Sequence, residues 1–223
     1  MNARRLPARN DELLAAAVSA FAARGYFGTT TAQVAAEMGV SQPYVIQAFG
    51  SKRELFLRAH AHAGARIVAG FRAAGRDGFD PARLGAAYLR LVRTDLSAVL
   101  VHAHAFSAAP AEPAIAEEAR RLFREITAAV RASGASVPEA AAFLSRGMLI
   151  NNLLLMDAAG SSEDADVLAV AAAILGPTAP TAPTAPTAPT APTAPTAPTA
   201  PTAPSTPTAP TDPTRPPTEA GPR

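Results

Sequence analysis

"TTTAQVAAEMGVSQPYVIQAFGSKRELF", residues Thr29–Phe56, decides the fold. Thr30 offers a side-chain oxygen to a first-turn amide, and Gln33 completes a reciprocal capping box. Val34, Ala35 and Met38 supply an apolar face, and Gly39 stops the helix after about two turns. Ser41 caps a second short helix. Pro43 is tolerated there because first-turn amides have no intrahelical acceptor. Val45, Ile46 and Phe49 are its expected buried side. Ser51 and Glu54 form a second predicted capping box, which opens a longer helix. Lys52 then stands exposed at a helix start, where a cation opposes the dipole by roughly a few tenths of a kcal/mol. Such a cation asks for a partner.

Working outward, Asn10 is the expected N-cap of a preceding helix, with Asp11 and Glu12 in its first turn. Leu14, Ala17 and Phe21 share one face of it, flanked by Leu13 and Val18. Gly25 is its expected stop. Downstream of Phe56 the periodicity stays helical. Segments are expected from Pro81 to about Ser107, Ala111 to Arg131, Pro138 to Asp157 and Ser162 to Leu175. No stretch alternates as a strand would. The fold class is all-α.

Two short helices joined by a tight turn and braced by a third present the second one outward. Such a helix fits the major groove of B-DNA and reaches base edges with its first turn. Ser41, Gln42, Pro43 and Tyr44 occupy that turn, with Gln47 one turn on. Glutamine pairs with adenine, and a tyrosine ring packs on a thymine methyl or donates to a phosphate. Thr29, Thr30 and Lys52 would flank the groove and grip phosphates, setting position and not sequence preference.

Charge agrees. The chain has 223 residues and a formal net charge of +2. Residues 1–60 hold seven Arg/Lys against four Asp/Glu, residues 61–176 eleven against twelve, and residues 177–223 two against two. The positive excess thus lies in the N-terminal helices and the basic arm 1–9, where a polyanion contact needs it. From Pro177 to Ala203 the chain repeats "PTA", and 16 of its 22 prolines fall after Gly176. This tail, 177–223, is expected to be disordered with polyproline II character, reaching roughly 150 Å if fully extended.

Several classes are disfavoured. There is no cysteine, hence no disulfide or thiolate metal site. No signal peptide or bilayer-length apolar run is present, so a cytoplasmic protein without membrane association is expected. His102 and His104 are two apart and point in different directions on a helix, so neither a metal site nor a cofactor is expected. No nucleophilic triad or phosphate loop suggests an enzyme.

Leu13 to Phe56 resembles the N-terminal domain of the TetR family of bacterial transcriptional regulators. The resemblance rests on Ala17 and Phe21, "RGY" (Arg24–Tyr26), Thr29 and Thr30, Val34 and Ala35, "GVS" (Gly39–Ser41), Phe49, and "SK" (Ser51–Lys52) before Leu55. It implies a helix-turn-helix DNA-binding domain over residues 10–56 and a helical ligand-binding and dimerisation domain over 57–176. It also implies a homodimer on a palindromic operator in double-stranded DNA, most often a repressor released by a small molecule. One position departs: Ile46 stands where the family usually has tyrosine, and Tyr44 is the candidate to take over part of its role.

In the C-terminal half, Tyr88, His102, Phe106, Met148, Asn151 and Asn152 are candidates to line a largely apolar effector pocket, since such a pocket needs only a few orienting polar groups. The helices near 138–157 and 162–175 carry more apolar residues than one face hides. Gly147 permits a close helix approach there. A two-fold four-helix interface explains the surplus, with an intramolecular core as its rival. The alternatives to a DNA-binding regulator are a dimeric helical module without specific DNA binding and, less favoured, an all-α enzyme.

Overall fold

The computed structural model describes residues 5–176, with side chains from Asn10 onward. The arm at residues 1–9, apart from the backbone of residues 5–9, and the repeat tail at 177–223 lie outside the described residues. Nine helices are described: α1 (Arg5–Gly28), α2 (Thr31–Glu37), α3 (Gln42–Phe49), α4 (Lys52–Ala74), α5 (Pro81–Thr94), α6 (Leu96–Ala108), α7 (Pro113–Ala132), α8 (Val137–Leu155) and α9 (Ala165–Leu175). The architecture is all-α, a small N-terminal helix cluster followed by a larger bundle.

Helix boundaries differ from the sequence reading where local chemistry competes. α1 begins at Arg5, so Asn10 is not its cap. Gly25 does break it, at φ 66° and ψ −176°, and a short helical extension continues to Gly28. The single segment expected over 81–107 is two helices. Asp95, at φ −155° and ψ 64°, ends α5 and accepts from the Ala98 amide to cap α6. An aspartate that bonds a nearby amide offers the backbone an alternative to helix continuation. α9 starts at Ala165, capped by Asp164, and not at Ser162.

Two buried clusters share α4. The first joins Phe21 of α1, Val34 of α2, Val45 and Phe49 of α3, and Leu55 and Phe56 of α4, and it continues onto Val101 and Ala105 of α6 and Ile115 of α7. Phe21 and Phe56 meet edge to face at 5.0 Å, a preferred aromatic geometry. The second cluster fills the bundle with residues such as Ile67, Leu84, Tyr88, Val99, Leu122 and Leu153. α4 therefore carries one continuous rod of backbone from the small cluster into the bundle. At Gly64 a Cβ would collide with the Leu122 side chain, so α4 and α7 approach closely there. At Gly147 a Cβ would meet nothing within 4 Å, so no other described helix of this chain packs closely against it. Among the described residues no helix is long and apolar enough to cross a membrane.

Candidate nucleic-acid interface and inner cavity

The α2–α3 pair is held by its own chain chemistry. Thr30 Oγ1 accepts from the Gln33 amide (3.2 Å) while Gln33 Oε1 accepts from the Thr30 amide (2.8 Å), the full predicted box. At the far end of α2, Gly39 takes φ +65°. There the Val40 amide bonds the Ala35 carbonyl (3.0 Å) and the Gly39 amide bonds that of Ala36 (3.1 Å). This double bond pattern is a Schellman stop, open chiefly to glycine because a Cβ is disfavoured at positive φ. Ser41 caps α3 by accepting from the Tyr44 amide at 3.4 Å. Ser51 caps α4 at the Glu54 amide (3.1 Å). Only that half of the second box forms, because the Ser51 amide donates to the Phe49 carbonyl instead.

The outward face of α3 is explicit. Val45 and Phe49, four apart, are 1% and 3% exposed. Gln42, Pro43, Tyr44, Gln47 and Ala48 are exposed, and so is Ile46, at 43%. The expectation that Ile46 packs inward is corrected. On a helix it lies about 100° from Val45, and the Val45–Phe49 stripe already fills the contact with the small cluster. Gln42 donates from Nε2 to Thr31 Oγ1 (2.9 Å), tying the first residue of α3 to the first of α2.

Two flanking residues sit differently from the sequence reading. Thr29 is fully buried, its hydroxyl bonded to the Gly25 carbonyl (2.7 Å) and 3.3 Å from that of Ala20. Its side chain holds the α1–α2 turn from inside, while Thr30 remains exposed. Lys52 is half-buried: Nζ donates to the Tyr26 carbonyl (3.0 Å) and lies 4.5 Å from the Tyr26 ring centroid. The cation that seemed to lack a protein partner has one.

Within the bundle, helices α4 to α8 line a partly open cavity of about 50 Å³. Of the six sequence candidates, Tyr88, His102, Met148 and Asn151 line it together. Phe106 stands behind His102, ring to ring at 4.9 Å, and Asn152 is exposed; neither lines it. Tyr88 donates to Asn151 Oδ1 at 2.6 Å, and burial raises its phenol above the ordinary value, against that hydrogen bond. Burial, and secondarily the adjacent His60, lowers His102 to about 3. His60 and Glu118, absent from the sequence candidates, join His102 in a hydrogen-bonded line that runs from the partly exposed Glu118 to the buried histidines. Nothing in spacing reveals it, because the three residues lie on α4, α6 and α7. Among the described residues no group of three or more His, Cys, Asp or Glu is placed to hold a metal.

With this geometry in hand, the known proteins give it a context. Residues 13–59 match the family described as "Bacterial regulatory proteins, tetR family". No curated protein matches the sequence significantly. The fold is similar to that of a transcriptional regulator from Pseudomonas aeruginosa PAO1, with TM-score 0.55 and 17% identity over 76% of this chain and 89% of that one. It is similar also to TetR-family regulators from a Rhodococcus species (TM-score 0.52, 22% identity, 75% and 98% covered) and from Mesorhizobium loti MAFF303099 (0.52, 17%, 78% and 95%). At these identities the likeness is one of fold. The family match falls on the helices that build the capped turn and the start of α4, so residues 13–59 are similar to the N-terminal part of tetR-family bacterial regulatory proteins.

Proposed function

We propose that this protein is a sequence-specific DNA-binding transcriptional regulator that acts as a homodimer on a palindromic operator and is released by a small molecule. The observation that carries the reading is α3. α3, which follows the Schellman stop of α2 and is capped at its start by Ser41, presents Gln42, Pro43, Tyr44, Ile46 and Gln47 outward while Val45 and Phe49 anchor it. Its outward face is then a rigid probe for the major groove. Tyr44 and Gln47 are the base readers, and Ile46 suits a thymine methyl. Gln42 orients α3 through Thr31 and offers its remaining hydrogen-bonding positions to a base. Thr30, Ser41 and Lys52 take phosphates, and Thr29 positions them through the turn. Residues 10–56 form the DNA-reading part and 57–176 the sensing and pairing part.

The pairing surface lies on α8 and α9. Leu149, Leu155 and Met156 on or just beyond α8, and Val167 and Val170 of α9, are 36–63% exposed. An apolar face of this kind, left uncovered by the chain's own helices, suits a two-fold contact.

The experiment is selection of genomic DNA fragments by the purified full-length protein, with sequencing of what binds. A recurrent palindromic site is expected, with affinity that falls steeply as salt rises. A folded dimer that enriches nothing at low salt would instead be a helical ligand-binding module without specific DNA recognition.

A further inference from the structure

The charged side chains around the inner cavity are segregated by sign. Residues 61–176 hold eleven Arg/Lys against twelve Asp/Glu, yet of these only arginines line the cavity and the two grooves beside it. A groove of about 410 Å³ between α4 and α5 shares Ile67, Phe71 and Tyr88 with the cavity and carries Arg66, Arg83 and Arg90. A groove of about 470 Å³ between α7 and α8 shares Phe123, Leu144 and Met148 with it and carries Arg131. The cavity itself carries Arg146. Among the described residues, no carboxylate lines any of the three.

Most of these cations are already committed. Arg66 pairs with Asp95. Arg83 donates to the Ala74 and Gly78 carbonyls at 2.7 and 2.6 Å, and Arg131 donates to that of Ala135. Arg90 has no ion pair among the described residues, but it lines the outer groove and not the cavity. Arg146 combines both properties: it lines the cavity, and among the described residues it makes no ion pair. Its one hydrogen bond, to the Ala173 carbonyl, is 3.5 Å long. A guanidinium has five N–H donors and stays charged at any working pH, so most of its capacity toward an anion is unused. The rest of the wall is mainly apolar, with Phe71, Leu89, Phe143 and Ile150, and the Tyr88 hydroxyl is engaged by Asn151 at 2.6 Å.

We infer that Arg146 binds the carboxylate of an otherwise apolar effector. The inference rests on reading the inner cavity as the effector site. A planar carboxylate matches the guanidinium fork with two parallel hydrogen bonds. One uncommitted cation answers one negative charge, whereas a phosphate dianion asks for a second. The apolar body of the effector lies in the cavity, which at about 50 Å³ has room for only a few waters. A larger body therefore displaces shared side chains such as Met148, whose unbranched chain adapts readily. Arginines along both grooves bias the local potential toward the approach of an anion over that of a cation.

The test uses three probes with one apolar body: para-butylbenzoate, its uncharged isostere para-butylbenzamide, and the cation para-butylbenzylamine. Each is titrated calorimetrically into the full-length protein at low ionic strength. The benzoate is expected to bind about fivefold more tightly than the benzamide, the upper range for an exposed ion pair. The gap should close as salt rises. Arg146→Gln is expected to erase the gap, Arg146→Lys to keep part of it, and Arg90→Gln to leave it whole. Arg146 is exposed, so its variants are expected to fold, and sedimentation equilibrium follows their pairing. Equal binding of benzoate and benzamide, binding of none of the three, tighter binding of the amine, or a gap that survives Arg146→Gln would each overturn the inference. So would an Arg146→Gln protein that no longer pairs, because the guanidinium would then be engaged by the second copy. If the benzoate is preferred but does not move the protein off its DNA, the Arg146 site stands and the effector reading falls.

Discussion

The ammonium of Lys52 lies 3.0 Å from the Tyr26 carbonyl oxygen and 4.5 Å from the centre of the Tyr26 ring. It thereby ties the start of α4 to the extension of α1 beyond Gly25. One of its three N–H groups is engaged there, which leaves donors for a phosphate. Lys52→Ala should therefore lower stability by about 1 kcal/mol and also weaken binding to all DNA sequences, with a salt slope smaller by about one. Gln47→Ala should leave stability unchanged and relax site preference. Denaturant titration and salt-dependent binding of both variants separate these effects, and identical profiles would refute the division of labour.

Thr29 is the buried counterpart of that contact. Its hydroxyl bonds the Gly25 carbonyl, the residue at which α1 turns out of helical geometry. Thr29→Val keeps the shape and strands the carbonyl, so a loss of about 1–3 kcal/mol in chemical denaturation is expected. Wild-type stability in this variant would mean that the turn is held by packing alone.

Gly64 tests the bundle. Its missing Cβ is what lets α4 lie against Leu122 of α7. Gly64→Ala should cost about 1–3 kcal/mol through overpacking, even though alanine favours the helix. The second substitution Leu122→Ala should then cost less in that background than alone, a coupling that a double-mutant cycle measures.

The buried histidines set an acid limit on stability. His102, held down to about 3 by burial, binds a proton in the unfolded chain between that value and its ordinary pKa, while the folded chain does not. Its stabilisation is therefore complete above about pH 6.5 and falls by about 1.4 kcal/mol per pH unit as the solution is acidified through that window. His104, also lowered by burial, though opposed by its hydrogen bond to Ala22, acts in the same direction. Denaturation midpoints measured from pH 7.5 to pH 4.5 should fall accordingly. His102→Gln should flatten the slope, and an unchanged slope would remove His102 as its cause.

Val170 and Leu149 probe the proposed pairing surface. Each leaves a large apolar side chain in contact with solvent, at 51% and 39% exposure. Val170→Asp and Leu149→Asp should leave the monomer folded and split the dimer, because a buried unpaired charge is costly. Sedimentation equilibrium reads the outcome, and dimers from both variants would place the interface elsewhere.

The sequence alone determined the local devices. Thr30–Gln33, Ser41, Gly39 and Ser51 were legible because caps and left-handed stops act within four residues, where spacing is distance. The periodic helices and the outward Gln42, Tyr44 and Gln47 were legible for the same reason, whereas the exposure of Ile46 was not. Tertiary structure decided whatever depended on what lies across from a residue. It exposed Ile46, buried Thr29, partnered Lys52 with Tyr26 and divided the long segment at Asp95, whose carboxylate also pairs with Arg66 of α4. It alone joined His60, His102 and Glu118 from three helices, because a hydrogen bond depends on separation in space, and periodicity within one helix is silent about the helix packed against it.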